Sequence, residues 1–600
     1  MKGNKRPAAL ILAILLACLC ATPAENVFAA SGLTELRSEI VELNDQLTLV
    51  KRINYNTSNA ENAVEHYFEY EPGGNVLPLV SYGGSIKGAV SATRIFSGEA
   101  ENGVTVAGLA NGGFFVMSTG VALGPVIRDG IVRTGGYGES MIAFKEDGSV
   151  LIGDPALNIR LSFTDQDVHY GKTNFNKTLT ESNGICAFTP DFGETNGATL
   201  DAFTVYVRIE SGSARLGETI EGVVERSEDA TEKSPLQEGY LVLSIAQETP
   251  YKTALEQMQA LQPDDRVALS FQASVEFADA QHALGFESWL VQDGSAVSGL
   301  DSATRAPRTA AGVKADGGFL LYTVDGRQKG YSMGLTAVEL AQRMLELGCV
   351  QAVNLDGGAS TQLFAVYPGF EREMQINRDS DATYLRSCAN YVCFANFNEQ
   401  DGIPAHLHVY PFDEYVLCGT SVPVYAKATD SGWFTCALPE DVTYSCDEMG
   451  TVEDNVYTAG SESGTGLIYA SGGGLTGSMR IYLVADPDSI TAYADGRQTV
   501  FLRAGLDKSY QLSAKASYRG QELRSSAACY TWTVEGDIGT IDENGVFTAA
   551  GEHGQTGKII VSAGNTTQTV EVTLQQTLPV KDLQSWIREI VDLLIENLEE

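Results

Sequence analysis

The chain has 600 residues, of which 44% are hydrophobic and 20% are charged, so its composition is that of a folded protein rather than a disordered one. This length exceeds what one hydrophobic core can serve, which predicts several domains. The formal net charge of −37 repels polyanions and excludes nucleic acid as the partner. Any phosphate-bearing substrate must therefore be held by a local cluster of arginines.

Residues 1–29 have the features of a secretory signal peptide, because a basic opening precedes an apolar run and small residues follow near Ala29. The run is too short for a membrane span, and no later run reaches the roughly 18 apolar residues that a span needs. The sequence therefore predicts a protein that is secreted or held at the cell surface, without a transmembrane span. Lipid attachment at Cys18 is an alternative, although Leu16 is bulky for that processing.

The next stretch is predicted to begin with a short helix, because apolar residues recur at helical spacing over 36–49. Residues 104–109 then predict a strand that runs into Asn111 and two glycines, and a later strand ends at Asp129. A polar residue before glycine forms a tight turn or presents a reactive group, and the residues alone leave both open. Residues 160–280 contain further strand-like runs with no chemistry that we would assign, which predicts a largely β insertion.

A helix is predicted over 334–348, between two strands that each end in an aspartate. Thr336 and Glu339 form a capping box at its start. A right-handed crossover through this helix makes the two strands parallel and brings Asp325 and Asp356 to one edge of a sheet.

The second of these strands is the most informative part of the chain. Residues 350–355 are mostly apolar, and they lead into Asp356 followed by Gly357 and Gly358. Ligands of open α/β sheets sit outside the carboxyl ends of the strands, where glycine lets the backbone approach closely. Asp356 is therefore the leading candidate for chemistry.

An ordered series of short motifs resembles the phosphodiester glycosidase family, which is related to the mammalian uncovering enzyme. The motifs are NGGFF at 111–115, PRTA at 307–310, VDGR at 324–327, GLTAVELA at 334–341, NLDGGAS at 354–360, and a tail of Asn377, Arg386 and Asn390. The chain departs from the family pattern at Ala359, where the family has a third glycine, and at 285–288, where the family is richer in glycine. These departures bear on substrate identity more than on the reaction class.

The resemblance implies hydrolysis of a sugar-1-phosphodiester, similar to an N-acetylglucosamine-1-phosphodiester. The water attacks either the anomeric carbon or the phosphorus. The implied catalytic residues are Asp356, Arg308 and Asn111, and the implied substrate-binding residues are Gly112, Gly113, Thr309, Asn354, Gly357, Gly358, Ser360, Arg386, Asp129 and Asp325. No cofactor is required by the sequence, and a divalent metal is left open.

The roles within this set follow from the chemistry of a phosphodiester. Its phosphate is a good leaving group once its charge is held, so Arg308 and Arg386, with Arg327 as a third candidate, are expected to clamp it. Asp356 is expected to stabilise an oxocarbenium-like centre, to activate water or to attack as a nucleophile. The nearest candidates for a second carboxylate are Asp129 and Asp325.

The predicted architecture is an α+β (mixed α/β) catalytic domain at 45–398 with a largely β insertion, followed by two all-β immunoglobulin-like sandwiches at 400–485 and 486–576. The sandwiches are predicted from an internal repeat between 441–460 and 528–550, and they resemble bacterial immunoglobulin-like modules. A chain ending near Asn398 is expected to fold. Residues 577–600 are predicted to form an amphipathic helical tail.

Two functions are compatible with the sequence. In the first, a secreted glycosidase acts on a phosphodiester linkage in a surface or extracellular glycan, with a cell-wall or capsular glycan as the partner. In the second, the same scaffold is a surface glycan-binding protein without turnover. The presence of Asp356, Arg308 and Asn111 favours the first.

Overall fold

The computed structural model describes residues 31–136, 140–171, 173–380, 385–412, 414–576, 585–588 and 590–591. The predicted signal peptide at 1–29 lies outside these residues. So does most of the predicted tail, of which 585–588 and 590–591 are helical. No helix within the described residues is long and apolar enough to cross a membrane.

The structure is nearly all-β, so the prediction of an α+β (mixed α/β) catalytic domain is wrong. Over the described part of 31–576 the α-helices are short: α1 (Ala92–Glu101), α2 (Lys252–Gln259) and α3 (Ala337–Glu346). The helix predicted over 36–49 is instead a hairpin of two long strands. The apolar residues of this segment fit the strand period of two as well as the helical period. Pairing of the second of these strands with a third strand favours the strand period.

The described residues of the N-terminal two thirds of the chain form 26 strands. In chain order, the first are β1 (Leu33–Asn44), β2 (Leu47–Asn56), β3 (Glu61–Tyr70), β4 (Val76–Ser81), β5 (Thr105–Asn111), β6 (Val126–Arg128), β7 (Ile131–Thr134), β8 (Met141–Phe144) and β9 (Val150–Gly153). Next are β10 (Asn158–Phe163), β11 (Val168–Tyr170), β12 (Asn174–Phe175), β13 (Cys186–Phe188), β14 (Ala202–Ser211), β15 (Thr219–Ala230), β16 (Tyr240–Ala246) and β17 (Arg266–Gln272). The last of the 26 strands within these described residues are β18 (His282–Gly285), β19 (Ser288–Gln292), β20 (Ser295–Ala296), β21 (Arg308–Lys314), β22 (Phe319–Val324), β23 (Cys349–Asn354), β24 (Leu363–Ala365), β25 (Met374–Gln375) and β26 (Tyr391–Asn396).

Two of the sheets position the candidate site. One has the order β1-β2-β3-β22-β21-β23-β19-β20 and the other has the order β25-β24-β5-β26-β4. Their apolar faces share one core, to which Phe68 and Val353 contribute from the first sheet and Leu109 and Phe394 from the second. A second eight-stranded sheet, formed by β10 to β17, packs around a separate core with the five-stranded sheet β7-β6-β18-β8-β9.

The strands that precede Asp325 and Asp356 do not form a parallel pair. Strand β21 lies between β22 and β23 and runs antiparallel to both. The two strands therefore run in the same direction, as the crossover requires, but each makes its ladder with β21. The predicted helix between them is confirmed, including the capping box of Thr336 and Glu339.

Helix α3 is fixed to the first sheet by a buried ion pair. Arg343 Nε donates to Glu65 Oε2 at 3.0 Å, and the hydroxyl of Tyr322 donates to the same oxygen at 2.8 Å. Glu65 is fully buried, so removing either partner would leave an uncompensated charge in the interior.

The strands of the C-terminal third fall into two groups. The first group is β27 (His406–Tyr410), β28 (Glu414–Leu417), β29 (Ser421–Pro423), β30 (Tyr425–Thr429), β31 (Thr435–Cys436), β32 (Thr443–Cys446), β33 (Gly450–Glu453), β34 (Val456–Ala459), β35 (Gly464–Gly472) and β36 (Leu475–Val484). The second group is β37 (Ser489–Ala494), β38 (Arg497–Gln498), β39 (Phe501–Gly505), β40 (Ser509–Tyr518), β41 (Gln521–Glu522), β42 (Thr531–Glu535), β43 (Gly539–Ile541), β44 (Val546–Ala549), β45 (Thr556–Ala563) and β46 (Thr566–Gln575). Strands β27 to β36 pack mainly around one core, and β37 to β46 pack around another.

The first C-terminal unit is packed against the N-terminal part of the chain. The hydroxyl of Tyr410 donates to Pro368 O at 2.7 Å, and its ring packs edge-on against Phe370 at a centroid distance of 5.0 Å. Phe412 stacks on Tyr367 at 6.2 Å. Tyr410 thus belongs to the core of the N-terminal sheets rather than to that of its own unit.

This contact revises the expectation for a chain that ends at Asn398. The truncation uncovers Tyr367 and Phe370, and full burial of an apolar side chain is worth about 1.5–3 kcal/mol. We expect the truncated protein to melt roughly 5 °C lower or to aggregate. A chain ending at Ala485, which keeps Tyr410, is the matched control. Its melting temperature, measured by calorimetry, should fall less. Equal melting temperatures for the full-length and Asn398 proteins would show that the contact is dispensable.

Candidate active site

The ends of β5 and β23 meet at the candidate active site. The N–H of Asp356 donates to Gly112 O at 3.1 Å, and the N–H of Gly112 donates to Asn390 O at 2.9 Å. The N–H of Gly113 donates to Asn390 Oδ1 at 2.8 Å. A methyl group at Gly112 would come within 2.0 Å of that same oxygen. Glycine is therefore required for the three segments to approach each other.

Asn111 fixes the backbone at the site. Its Nδ2 donates to Asp356 O at 2.6 Å. Its Oδ1 accepts from the hydroxyl of Thr309 at 2.8 Å and from the N–H of Gln362 at 3.1 Å. Asn111 and Thr309 are both fully buried. They thus position Asp356, whereas the resemblance to the family implied that Asn111 is itself catalytic.

The carboxylate of Asp356 is half-buried at the end of β23. It accepts a hydrogen bond from Ser360 and lies close enough to Arg386 for that charge to favour its ionised form. Burial outweighs both effects and raises the pKa of Asp356 above its ordinary value, and the nearby charge of Glu287 adds to the rise. The site therefore holds a carboxylate that is partly removed from water and has the cation of Arg386 nearby.

The turn after Asp356 needs its glycines for two different reasons. A methyl group on Gly357 would come within 2.9 Å of Pro307 O. Gly358 has a φ of +65°, which favours glycine. It opens a 3₁₀ turn, Gly358–Ser360, in which Ala359 has no positive φ. The alanine at 359 is therefore accommodated without strain.

The three candidate arginines lie around this turn but differ in their contacts. Arg386 is on the Asp356 side, with its Nη1 at 3.5 Å from Ser360 Oγ. Arg327 is exposed, and a methyl group on Gly358 would be 3.3 Å from its Nη1. Arg308, in contrast, uses its guanidinium to bind backbone carbonyls.

The guanidinium of Arg308 is held by two loops. Its Nε donates to Leu335 O at 3.2 Å and its Nη2 donates to Thr304 O at 2.9 Å. Burial lowers the pKa of Arg308, and the charge of Arg327 adds to this effect. Arg386 is thus the better placed of the two predicted clamp residues, because its guanidinium faces the Ser360 hydroxyl beside Asp356.

Asn354 is the last residue of β23 and lies directly before the turn. Its backbone pairs with Ser288 on one side and with Ala310 on the other. Its Oδ1 is buried without a hydrogen-bond partner among the described residues. A buried amide oxygen of this kind is an acceptor that a hydroxyl group of a ligand can satisfy.

Asp325 is fully buried behind the site rather than in it. Its carboxylate accepts from the Tyr331 hydroxyl at 3.0 Å, from the N–H of Arg378 at 2.9 Å and from Asn377 Nδ2 at 3.2 Å. Asn377 also donates to Thr361 O at 3.0 Å. Burial raises the pKa of Asp325 to about 7 despite these donors. The residue therefore supports the backbone after the turn and is not exposed to a substrate.

Asp129 belongs to a different part of the molecule. It lies at a cavity of about 670 Å³, which is also lined by Glu99, Arg128 and His282. Asp129 is 3.6 Å from Arg128 Nε and 3.8 Å from His282 Nε2. Asp356 does not line this cavity. The structure thus does not bring the two aspartates together.

Glu287 is the carboxylate near Asp356 that the sequence did not single out. It is exposed and lies immediately before β19, the strand whose Ser288 pairs with Asn354. The only available signal was its position in the segment 285–288, which departs from the family pattern. In the described residues no group of three or more His, Cys, Asp and Glu side chains is arranged to hold a metal ion.

Part of this site lies within residues that match a known protein family. Residues 218–395 match the family model described as phosphodiester glycosidase. The chain contains a phosphodiester glycosidase domain. The matched residues include β19, β21 to β24 and the turn at Asp356, and they are fewer than the predicted range of 45–398. Asn111, Gly112 and Gly113 lie before the matched residues, although they contact Asp356 and Asn390 directly.

The chain also has more limited similarities to other proteins. Over 88 residues the chain is 36% identical to the SPbeta prophage-derived uncharacterized protein YomE of Bacillus subtilis (strain 168), a match that spans 14% of each protein. A hypothetical protein from Synechocystis aligns with a TM-score of 0.47 at 21% identity, over 60% of this chain and 64% of that one. The zebrafish N-acetylglucosamine-1-phosphodiester alpha-N-acetylglucosaminidase catalytic domain aligns with a TM-score of 0.31 at 14% identity, over 60% of this chain and 88% of that one.

Proposed function

We propose that this protein hydrolyses a sugar-1-phosphodiester linkage, similar to an N-acetylglucosamine-1-phosphodiester, in a surface or extracellular glycan. The observation that carries the proposal is a half-buried Asp356 that accepts a hydrogen bond from Ser360, with Arg386 on the same side of the turn, inside the residues that match the phosphodiester glycosidase family. A carboxylate and a guanidinium beside one another match the two charges of the reaction. Positive charge develops on the sugar, and negative charge collects on the phosphate.

In the proposed reaction water attacks the anomeric carbon. The bond between that carbon and the phosphate oxygen breaks, and the electron pair leaves with the phosphate, which becomes a monoester. Asp356 stabilises the oxocarbenium-like centre, and its partial burial strengthens this interaction relative to water. Arg386 holds the phosphate as its charge grows.

The proposed location rests on the predicted signal peptide at 1–29 and on the predicted surface modules at 400–485 and 486–576. A cell-wall or capsular glycan is the substrate that suits such a location. The large negative charge of the chain is consistent with recognition through a few short-range contacts rather than through a general field.

The test is incubation of the full-length protein with a panel of sugar-1-phosphodiesters in ¹⁸O-labelled water. We expect a released sugar that carries the label at its anomeric hydroxyl, together with an unlabelled phosphate monoester. The control is the same set of sugars linked to an uncharged leaving group, which Arg386 cannot assist. Label in the phosphate would show that water attacks phosphorus instead. Binding without any turnover would favour a glycan-binding protein.

A further inference from the structure

The segment 285–288 contacts the backbone of the candidate site at both of its ends. A methyl group on Gly113 would come within 2.4 Å of Gly285 O, so this segment is in close contact with the glycines that support Asp356. Strand β19 then begins at Ser288, which pairs with Asn354, two residues before Asp356. Glu287 is placed between these two anchoring contacts.

The carboxylates of Glu287 and Asp356 lie in different environments. Glu287 is exposed, whereas Asp356 is half-buried, accepts from Ser360 and is close to Arg386. The charge of Glu287 nevertheless reaches Asp356, because it disfavours the ionised form of that residue. Two carboxylates in a glycosidase that differ in burial commonly take different roles.

The two carboxylates that the sequence suggested as the second catalytic group are not available for this purpose. Asp325 is fully buried and accepts three hydrogen bonds from protein donors. Asp129 lies beside Arg128 and His282 at another cavity.

We propose that Glu287 is the general base that accepts a proton from the attacking water, a role that rests on the proposed function. As the oxygen of water bonds to the anomeric carbon, one of its protons passes to the Glu287 carboxylate. The bond to the phosphate oxygen breaks, and its electron pair leaves with the phosphate, which needs no proton because Arg386 offsets its charge. Glu287 suits this role because it is in contact with solvent and carries a longer side chain than Asp356.

The test compares Glu287→Gln with the wild type on the phosphodiester substrate, with and without sodium azide. We expect kcat to fall by about a hundredfold or more, which is the scale of losing a positioned base, while KM changes little. Azide needs no deprotonation to attack, so it should restore turnover and give a glycosyl azide. The acid limb of the residual kcat/KM should also move to lower pH, because the charge that raises the pKa of Asp356 is removed.

Glu276→Gln is the matched control, since it removes one charge from another exposed glutamate. It should keep wild-type kcat. An active wild type with an unaffected Glu287→Gln variant, or a loss of kcat that azide does not restore, would overturn the role of Glu287 alone. A wild type without turnover on every phosphodiester would overturn the proposed function and this role with it.

Discussion

Asp356→Asn is expected to lower kcat by at least about a hundredfold with little change in melting temperature. The substitution keeps the size of the side chain and removes the charge that stabilises the anomeric centre in the proposed reaction. Burial raises the pKa of Asp356, so the ionised form costs stability in the folded state and its removal should not destabilise the protein. Activity is measured as released sugar and stability by calorimetry.

The control for this variant is Asp293→Asn, which changes another aspartate that precedes a glycine. Asp293 has a φ of +47° and accepts from Gln351 Nε2 at 2.8 Å, away from the turn at Asp356. It should keep wild-type kcat. Near-normal kcat in Asp356→Asn would remove this residue from the chemistry.

The pH dependence of the wild type follows from the same pKa. Asp356 must be ionised to stabilise positive charge, and its pKa lies above the ordinary 3.8. Activity should therefore fall as the pH drops through a value higher than that of an ordinary aspartate. An acid limb with its midpoint at or below pH 3.8 would contradict the raised pKa that burial gives Asp356.

Arg386→Lys and Arg386→Ala are both expected to lower kcat/KM on the phosphodiester by about a hundredfold. The guanidinium can bind two phosphate oxygens in a fixed geometry, which a lysine ammonium cannot reproduce. Because the leaving phosphate gains charge as the bond breaks, kcat should fall as well as KM rise. On a glycoside with an uncharged leaving group, any activity should change little.

Arg308→Lys provides the comparison. Its guanidinium binds Leu335 O and Thr304 O, so its replacement should act mainly on stability. We expect a lower melting temperature and only a small change in kcat. This expectation differs from the one that the sequence supports, in which Arg308 and Arg386 both clamp the phosphate. Wild-type kinetics in Arg386→Lys together with loss of turnover in Arg308→Lys would make Arg308 the clamp instead.

Several features of the site were determined by the sequence alone. The apolar run before Asp356 and the glycines after it predict a strand and a turn, and the structure contains β23 and a glycine turn at those positions. The capping box predicts the start of α3 because it satisfies N–H groups within one turn of the helix. These are local interactions between residues that are close in the chain, so a single sequence is enough to find them.

The fold class and the partners of each polar side chain were decided by the tertiary structure. Strand β21 separates β22 from β23, and the residues 36–49 become a hairpin because β3 pairs with it. The side-chain oxygen of Asn111 accepts hydrogen bonds from Thr309 and Gln362, which follow it in the chain by almost two hundred residues or more. Glu287 comes near Asp356 because β19, which follows Glu287, pairs with β23, which precedes Asp356. Hydrogen bonding and burial between segments far apart in the chain determine these arrangements, and neither the period nor the composition of the segments specifies which of them will pair.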